Sequence, residues 1–288
     1  MINKSLLLFI ATLALVGLAC GLDINLPDTN IKTGPFETTT LAIPSPDTNE
    51  DIELTISFGI GELTLAPGAE SNLVSGTATY NVADFKPEVS TTGSAVRLEQ
   101  GSLNLNGIPD FDDKIENNWA LALGSTPMIL KINAGAYSGQ FELGGLSLQS
   151  LEITDGASDV DVVFSTLNKM EMDLFRYNTG ASTITIEGIA NANASTFLFR
   201  SGAGSYTLDF SGALNRDLVA NIESGVSSLV IVVPEGVPAQ VTFEGAVSSV
   251  DTQGTWEKSG SIYQQTGSGP KITLIIKLGA GSLELRNK

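Results

Sequence analysis

The chain has 288 residues, of which 42% are hydrophobic and only 16% charged, with a formal net charge of −17. It is apolar enough for a packed core rather than a disordered chain, and too acidic to partner nucleic acid, whose phosphates it repels. No histidine is present and one cysteine, Cys20, which excludes a Ser–His–Asp hydrolase triad, an internal disulfide and a thiolate metal cluster.

Residues 1–20 read MINKSLLLFIATLALVGLAC. Lys4 gives a short basic start, and Leu6 to Val16 is an apolar run of signal-peptide length, too short to cross a bilayer comfortably as a helix. The run ends in Gly17-Leu18-Ala19-Cys20, which resembles the bacterial lipobox, with Gly17 standing where Leu is usual. The resemblance implies that residues 1–19 are a lipoprotein signal peptide and that Cys20 becomes a lipidated first residue, carrying acyl chains such as palmitate. Two acyl chains hold firmly where one is marginal. The expected place is therefore the outer side of the cytoplasmic membrane, lipid-anchored through Cys20. The alternative is an ordinary secretory signal with a chance cysteine. Residues 20–48 then scatter Pro27, Pro35, Pro44 and Pro46 among Thr, Asp and Asn without periodicity, and read as an extended tether.

From residue 49 an internal repeat dominates: apolar-x-apolar-x-x-Gly-small-x-x-apolar-x-apolar. Its central glycines are Gly59, Gly135, Gly156, Gly180, Gly202, Gly225 and Gly279, and those from 135 to 225 are 21, 24, 22 and 23 residues apart. Around Gly180 the apolar places hold Phe175, Tyr177, Ile184 and Ile186. Such alternation marks a strand with one face buried, and the glycine marks a corner that needs positive φ or close approach. The residue after it (Ile60, Ala136, Ala157, Ala181, Ala203, Val226 or Ala280) is expected to fit inside that corner. Two strands and a return segment make one coil of about 22 residues, and about 11 coils would account for the chain. One coil cannot bury enough apolar surface to offset ordering its backbone, so the coils must stack.

The predicted fold is all-β, a single-stranded parallel β-solenoid (β-helix). An antiparallel sandwich or barrel also gives short alternating strands, but does not call for a fixed Gly-small pair at this interval. No window carries a sustained helical period. Residues 270–288, rich in Ile and Leu, are expected to end the stack, capped by their own turn or by a second copy.

Residues 51–101 and 111–123 resemble the N-terminal module of the toast-rack family, with Gly59, Gly61, Leu63, Gly76, Tyr80, Pro87 and Trp119 in the order that family shows. The resemblance implies a right-handed single-stranded β-helix with no assigned reaction and no catalytic residue. The later repeats are similar to adhesin-like solenoids and to the C-terminal region of LiaF-type cell-wall-stress proteins. On this reading 49–118 is the toast-rack-like module, and 119–288 is solenoid continuous with it.

Chemistry-bearing clusters are few. Asp110, Asp112 and Asp113 with Glu116 could hold Ca²⁺, but lack EF-hand order and read as a solvated acidic loop. Asp159 and Asp161 share the outer face of a strand, as acidic pairs do in polysaccharide-cleaving β-helices, yet no Lys, Arg or aromatic repeats beside them, and Asp209 reads as an isolated outer acid. Gly202-Ala203-Gly204-Ser205 and Gly279-Ala280-Gly281-Ser282 lead into strands, so they are not phosphate loops. Ser182, Thr183, Thr185, Ser205, Thr207, Ser227 and Ser228 are expected to form an outer hydroxyl face. Such a face could dock an envelope polysaccharide or protein partner, or simply reflect the suitability of Thr for strands. Trp119 and Trp256 are core residues or binding anchors. The expectation is a non-enzymatic, adhesin-like surface lipoprotein with no cofactor and no metal. The alternatives are a LiaF-like stress regulator, a structural spacer, or a polysaccharide-active enzyme.

Overall fold

A computed structural model of the chain describes residues 28–29, 33–101, 108–109, 115–245 and 250–288. Cys20, Asp110, Asp112 and Asp113 lie outside the described residues. The strands are β1 (Asp28–Thr29), β2 (Glu37–Pro44), β3 (Ile52–Pro67), β4 (Asn72–Tyr80), β5 (Pro87–Thr92), β6 (Ala95–Gln100), β7 (Ile108–Pro109), β8 (Asn117–Leu123), β9 (Met128–Glu142) and β10 (Leu148–Thr154). They continue with β11 (Ala157–Val163), β12 (Met172–Glu187), β13 (Ala194–Asp209), β14 (Leu218–Val233), β15 (Ala239–Gly245), β16 (Val250–Gln253), β17 (Glu257–Ser259), β18 (Ile262–Gln265) and β19 (Ile272–Asn287). Two 3₁₀ turns, Ala83–Phe85 and Ile189–Ala192, are the only helical elements among the described residues. No helix among them is long and apolar enough to cross a membrane.

The chain divides into two units. In the smaller, residues 1–32 with 104–113, β1 pairs in parallel with β7. The larger unit, residues 33–103 with 114–288, holds every other strand.

Its long strands each serve two sheets. In β12, Phe175, Tyr177 and Thr179 point inward, then Ser182, Ile184 and Ile186 do. The alternation slips by one residue at Gly180 and Ala181, which is what a strand does when it turns a corner around a shared core. β14 repeats the slip between Ser224 and Ser227. Parallel ladders then stack one strand on the next. Leu174 lies beside Thr196, 22 residues on, and Thr196 beside Val219, 23 on. Core rings pile up accordingly, Phe175 on Phe197 at 4.8 Å and Tyr177 on Phe199 at 5.8 Å between centroids. The return segments are tied by buried amides. Asn168 accepts from Leu148 N and donates to the Leu148 and Met170 carbonyls, each at 2.8 Å.

The layers follow the order β6 with β8, β3, β9, β10 with β11, β12, β13, β14, β19, and β15 with β16, all parallel to their neighbours. Antiparallel strands flank the ends. At one end β4 lies on β8, β2 on β4 and β5 on β6; at the other β18 lies on β15 and β17 on β18. Traced through hydrogen-bonded neighbours the strands form a closed, barrel-like circuit, because the long strands belong to both sheets.

The structure departs from the sequence reading in four ways. Among the described residues the layers number nine rather than about 11, because other residues form the antiparallel flanks. β19 does not end the stack, capped by its own turn or by a second copy. It sits between β14 and the earlier-synthesised β15 and β16, so the register jumps from Leu218 to Ile272. Residues 37–44, expected in the tether, form β2 and bury Leu41 and Ile43. The residue after each corner glycine is half-buried or exposed rather than enclosed in the corner, and Val226 is 61% exposed.

Candidate functional site

The corner glycines form one column. None of the seven has positive φ; what demands glycine is the layer beneath. A Cβ on Gly180 would lie 2.5 Å from Gly156 O, one on Gly202 2.7 Å from Gly180 O, and ones on Gly225 and Gly279 each 2.6 Å from the carbonyl of the glycine below. Gly135 and Gly156 are crowded in the same way. At the end of the column the side chain of Gln100 takes over: its Oε1 accepts from Gly59 N at 2.8 Å, Ile60 N at 3.4 Å and Asn117 Nδ2 at 2.9 Å.

Inside the corner runs a polar seam. Asp155 is buried, and its Oδ2 accepts from Tyr177 OH at 2.8 Å and Tyr137 OH at 3.2 Å. Burial, with the Asp155 charge behind it, pushes both tyrosines far above the ordinary phenol range. The Tyr137 ring also fills the space left by the absent side chain of Gly139. Ser158 donates to Ser182, which pairs with Thr179, while Ser201, Ser224 and Ser227 are linked at 2.8 Å steps. Sequence reading missed this seam, although Asp155 lies in phase with the inward Leu151 and Ile153.

The two outer faces differ. On the first, ion pairs join neighbouring layers: Lys131–Glu53 at 2.6 Å, Arg176–Glu152 and Arg200–Glu223 at 3.2 Å, and Lys277–Glu244 at 3.8 Å. A shallow groove of 540 Å³ lies among Arg200, Glu223, Lys277 and Glu244 over Gly225 and Gly279, but its charges neutralise one another. On the second face two columns run along the stack. One is Glu62, Ser138, Asp159, Thr183, Ser205, Ser228 and Ser282; the other is Thr64, Gln140, Asp161, Thr185, Thr207, Val230 and Glu284. From β12 to β14 these columns carry hydroxyls and one valine, and no Lys, Arg or aromatic residue stands in either.

Thr183, Thr185, Ser205, Thr207 and Ser228 thus occupy the expected face, whereas Ser182 and Ser227 are buried in the corner seam. Asp159 and Asp161 are exposed on that face, flanked by Ser138, Gln140, Thr183 and Thr185. Asp209 is not an outer acid: it is 95% buried, accepts from Ser211 N at 2.8 Å and pairs with Lys288 Nζ at 3.2 Å. Trp119 is core, its Nε1 donating to Asn117 Oδ1 at 3.0 Å and its ring set edge-on to Phe58. Trp256 is half-buried between β16 and β17. Glu116 is half-buried, and among the described residues no group of three or more His, Cys, Asp or Glu is placed to hold a metal ion.

The family model of the N-terminal domain of toast_rack, DUF2154, matches residues 32–187, more than half of the chain. The chain belongs to the toast-rack family. The match runs from just before β2 to the end of β12, well past both ends of the stretch 49–118. Within it Gly61, Gly76 and Trp119 serve packing: a Cβ on Gly61 or Gly76 would strike the backbone of β8. No curated protein matches this toast-rack chain in sequence. Among solved structures, a candidate cell adhesion protein from Clostridium sporogenes is 19% identical, with a TM-score of 0.49 over 88% of this chain and 100% of that one. A candidate adhesin from Bacteroides fragilis is 12% identical, with a TM-score of 0.35 over 89% and 99%. A candidate lipid-binding protein from Parabacteroides distasonis is 12% identical, with a TM-score of 0.39 over 90% and 99%.

Proposed function

We propose that this toast-rack chain is a non-catalytic, adhesin-like lipoprotein, anchored through acylated Cys20 on the outer side of the cytoplasmic membrane, whose second outer face docks a neutral or amine-bearing envelope polysaccharide. The observation that carries the reading is the pair of hydroxyl columns from β12 to β14, with carboxylates at Asp159 and Asp161 beside them and no cation in either column. Hydroxyls repeated on each layer, about 4.8 Å apart, offer a polymer many weak contacts that sum along its length. Carboxylates without an opposing base disfavour anionic polymers and favour amines. Asp159 and Asp161 face no second acidic group across a cleft, which leaves them as binding groups rather than an acid–base pair. The stack itself is read as right-handed, with about 22 residues per turn, the hand that parallel crossovers take in about 98% of cases.

Two measurements test this. The full-length chain in detergent, applied to an array of neutral, amino and acidic glycans, is expected to bind the first two classes. The variant Thr183→Val/Ser205→Ala/Thr207→Val, which removes hydroxyls without adding charge, is expected to lose about tenfold in affinity. Silence across the array, or binding unchanged in the variant, ends the polysaccharide reading. Mass spectrometry of the mature N-terminus is expected to find Cys20 first and acylated; an unmodified Cys20 ends the anchor.

A further inference from the structure

The position of β19 divides the larger unit into a body, ending with β14, and a cap, β15 to β19. Among the described residues every ladder between the two is the one between β14 and β19, running from Leu218 beside Ile272 to Val233 beside Asn287. β15 and β16 pair with β19 and β18 pairs with β15, so none of these touches a body strand by backbone pairing. The cap also holds the segment that leads into it: Gln265 Nε2 donates to Pro234 O and Val237 O, Ser268 N to Gly236 O and Ile272 N to Pro238 O. The covalent link is the short segment Pro234-Glu235-Gly236-Val237-Pro238. Latches at the two ends of β19 also fasten cap to body: Lys271 N donates to Asp217 Oδ1 at 2.8 Å, Asn287 Nδ2 to Val233 O at 3.2 Å and Lys288 Nζ to Asp209 Oδ2 at 3.2 Å.

We propose that the partner for the β14 edge is the cap of a second copy of this chain, so that two copies exchange caps. A bare β14 is a long parallel edge with all its outward N–H and C=O groups unpaired, a template for strand addition. The segment that fits it in register, with latches for Asp209 and Asp217, is β19, and each copy carries one. Exchange restores the same ladder and the same latches; it re-routes residues 234–238 and breaks or re-forms the hydrogen bonds that their carbonyls accept from Gln265, Ser268 and Ile272. The balance between one copy and two is then set by hinge geometry and concentration. This proposal stands apart from the polysaccharide reading.

Val226 of β14 and Ala280 of β19 are ladder neighbours with outward side chains, and neighbouring parallel strands place Cα atoms about 5 Å apart, within disulfide reach. In a full-length Cys20→Ser background, the single variants Val226→Cys and Ala280→Cys are mixed, refolded together at rising concentration and oxidised. The expected result is a disulfide-linked dimer joining the two variants, about tenfold more abundant than from Thr183→Cys mixed with Ser205→Cys, ladder neighbours inside the body. A yield no higher than that control at every concentration overturns the proposal. The double variant Val226→Cys/Ala280→Cys, oxidised when dilute, is expected to close within one chain, showing that both substitutions fold. Light scattering on a chain lacking Gly236, whose shortened hinge favours exchange, gives a second readout: dimers support the proposal and a monomer at all concentrations overturns it.

Discussion

The middle of the stack and its two ends are built on different rules. From β9 to β14 each layer follows the last in sequence, one corner glycine per layer, and the chain order is the spatial order. At both ends a full-length strand, β3 or β19, lies under a layer split into two shorter strands, β6 with β8 or β15 with β16, and antiparallel strands flank the split layer. Repetition solves the interior, where every edge has a neighbour. Ends need edges covered, and the chain covers them by going out of order.

Ending the chain before Ile272 tests the end rule and is expected to have the largest effect. It removes six buried residues (Ile272, Leu274, Ile276, Leu278, Leu283 and Leu285), on the order of 10 kcal/mol of burial, and cuts β15 to β18 from the body. Limited proteolysis is expected to cleave first after residue 234; resistance equal to the full chain contradicts the topology. Gly180→Val tests the middle rule. Its Cβ meets Gly156 O, and a loss of about 3 kcal/mol is expected in denaturant unfolding. Gly260→Ala in the end hairpin has nothing within 4 Å, and its cost, set by positive φ alone, is expected to be about 1 kcal/mol. Equal losses at the two sites would erase the distinction.

The corner seam belongs to the middle. Asp155→Ala leaves two buried phenols without an acceptor and is expected to cost about 2–4 kcal/mol. Tyr137 and Tyr177 hold their protons in the fold where unfolded phenols, near 10.0, release them. Their contribution is therefore whole below that pH and declines as the pH rises above it. Denaturant midpoints are expected to fall above pH about 10, and a flat profile there would show that the phenols are not held. Smallest of all, Arg200→Ala is expected to cost under about 1 kcal/mol and less in high salt, since Arg200 and Glu223 are both largely exposed.

The regular middle was open to inspection in the sequence because each of its layers carries the same signal locally: apolar alternation, a glycine, and alternation again. The end rule was hidden because nothing within residues 272–287 says that two strands made earlier will lie beyond them. β2 was hidden by its threonines and prolines, with only Leu41 and Ile43 to mark a buried side. Corners defeat alternation itself, which puts Ser182, Ser227 and Asp209 outside whereas the fold buries them. The outer hydroxyls from Thr183 to Ser228 were legible because, away from corners, odd and even positions keep their faces. The toast-rack resemblance was legible from the glycines and Trp119, and the family match extends it to residues 32–187.

Gln100 has a consequence for growth. A pile of like floors offers its last floor as a foundation for another, which is how fibres propagate. At the Gly59 corner, where the outermost floor is broken between β6 and β8, that offer is withdrawn, because the Gln100 side-chain amide occupies the seat of the missing corner carbonyl and leaves the peptide N–H nothing further to recruit. Duplication of interior floors could lengthen the tower without disturbing this stopper, so height and termination can evolve independently.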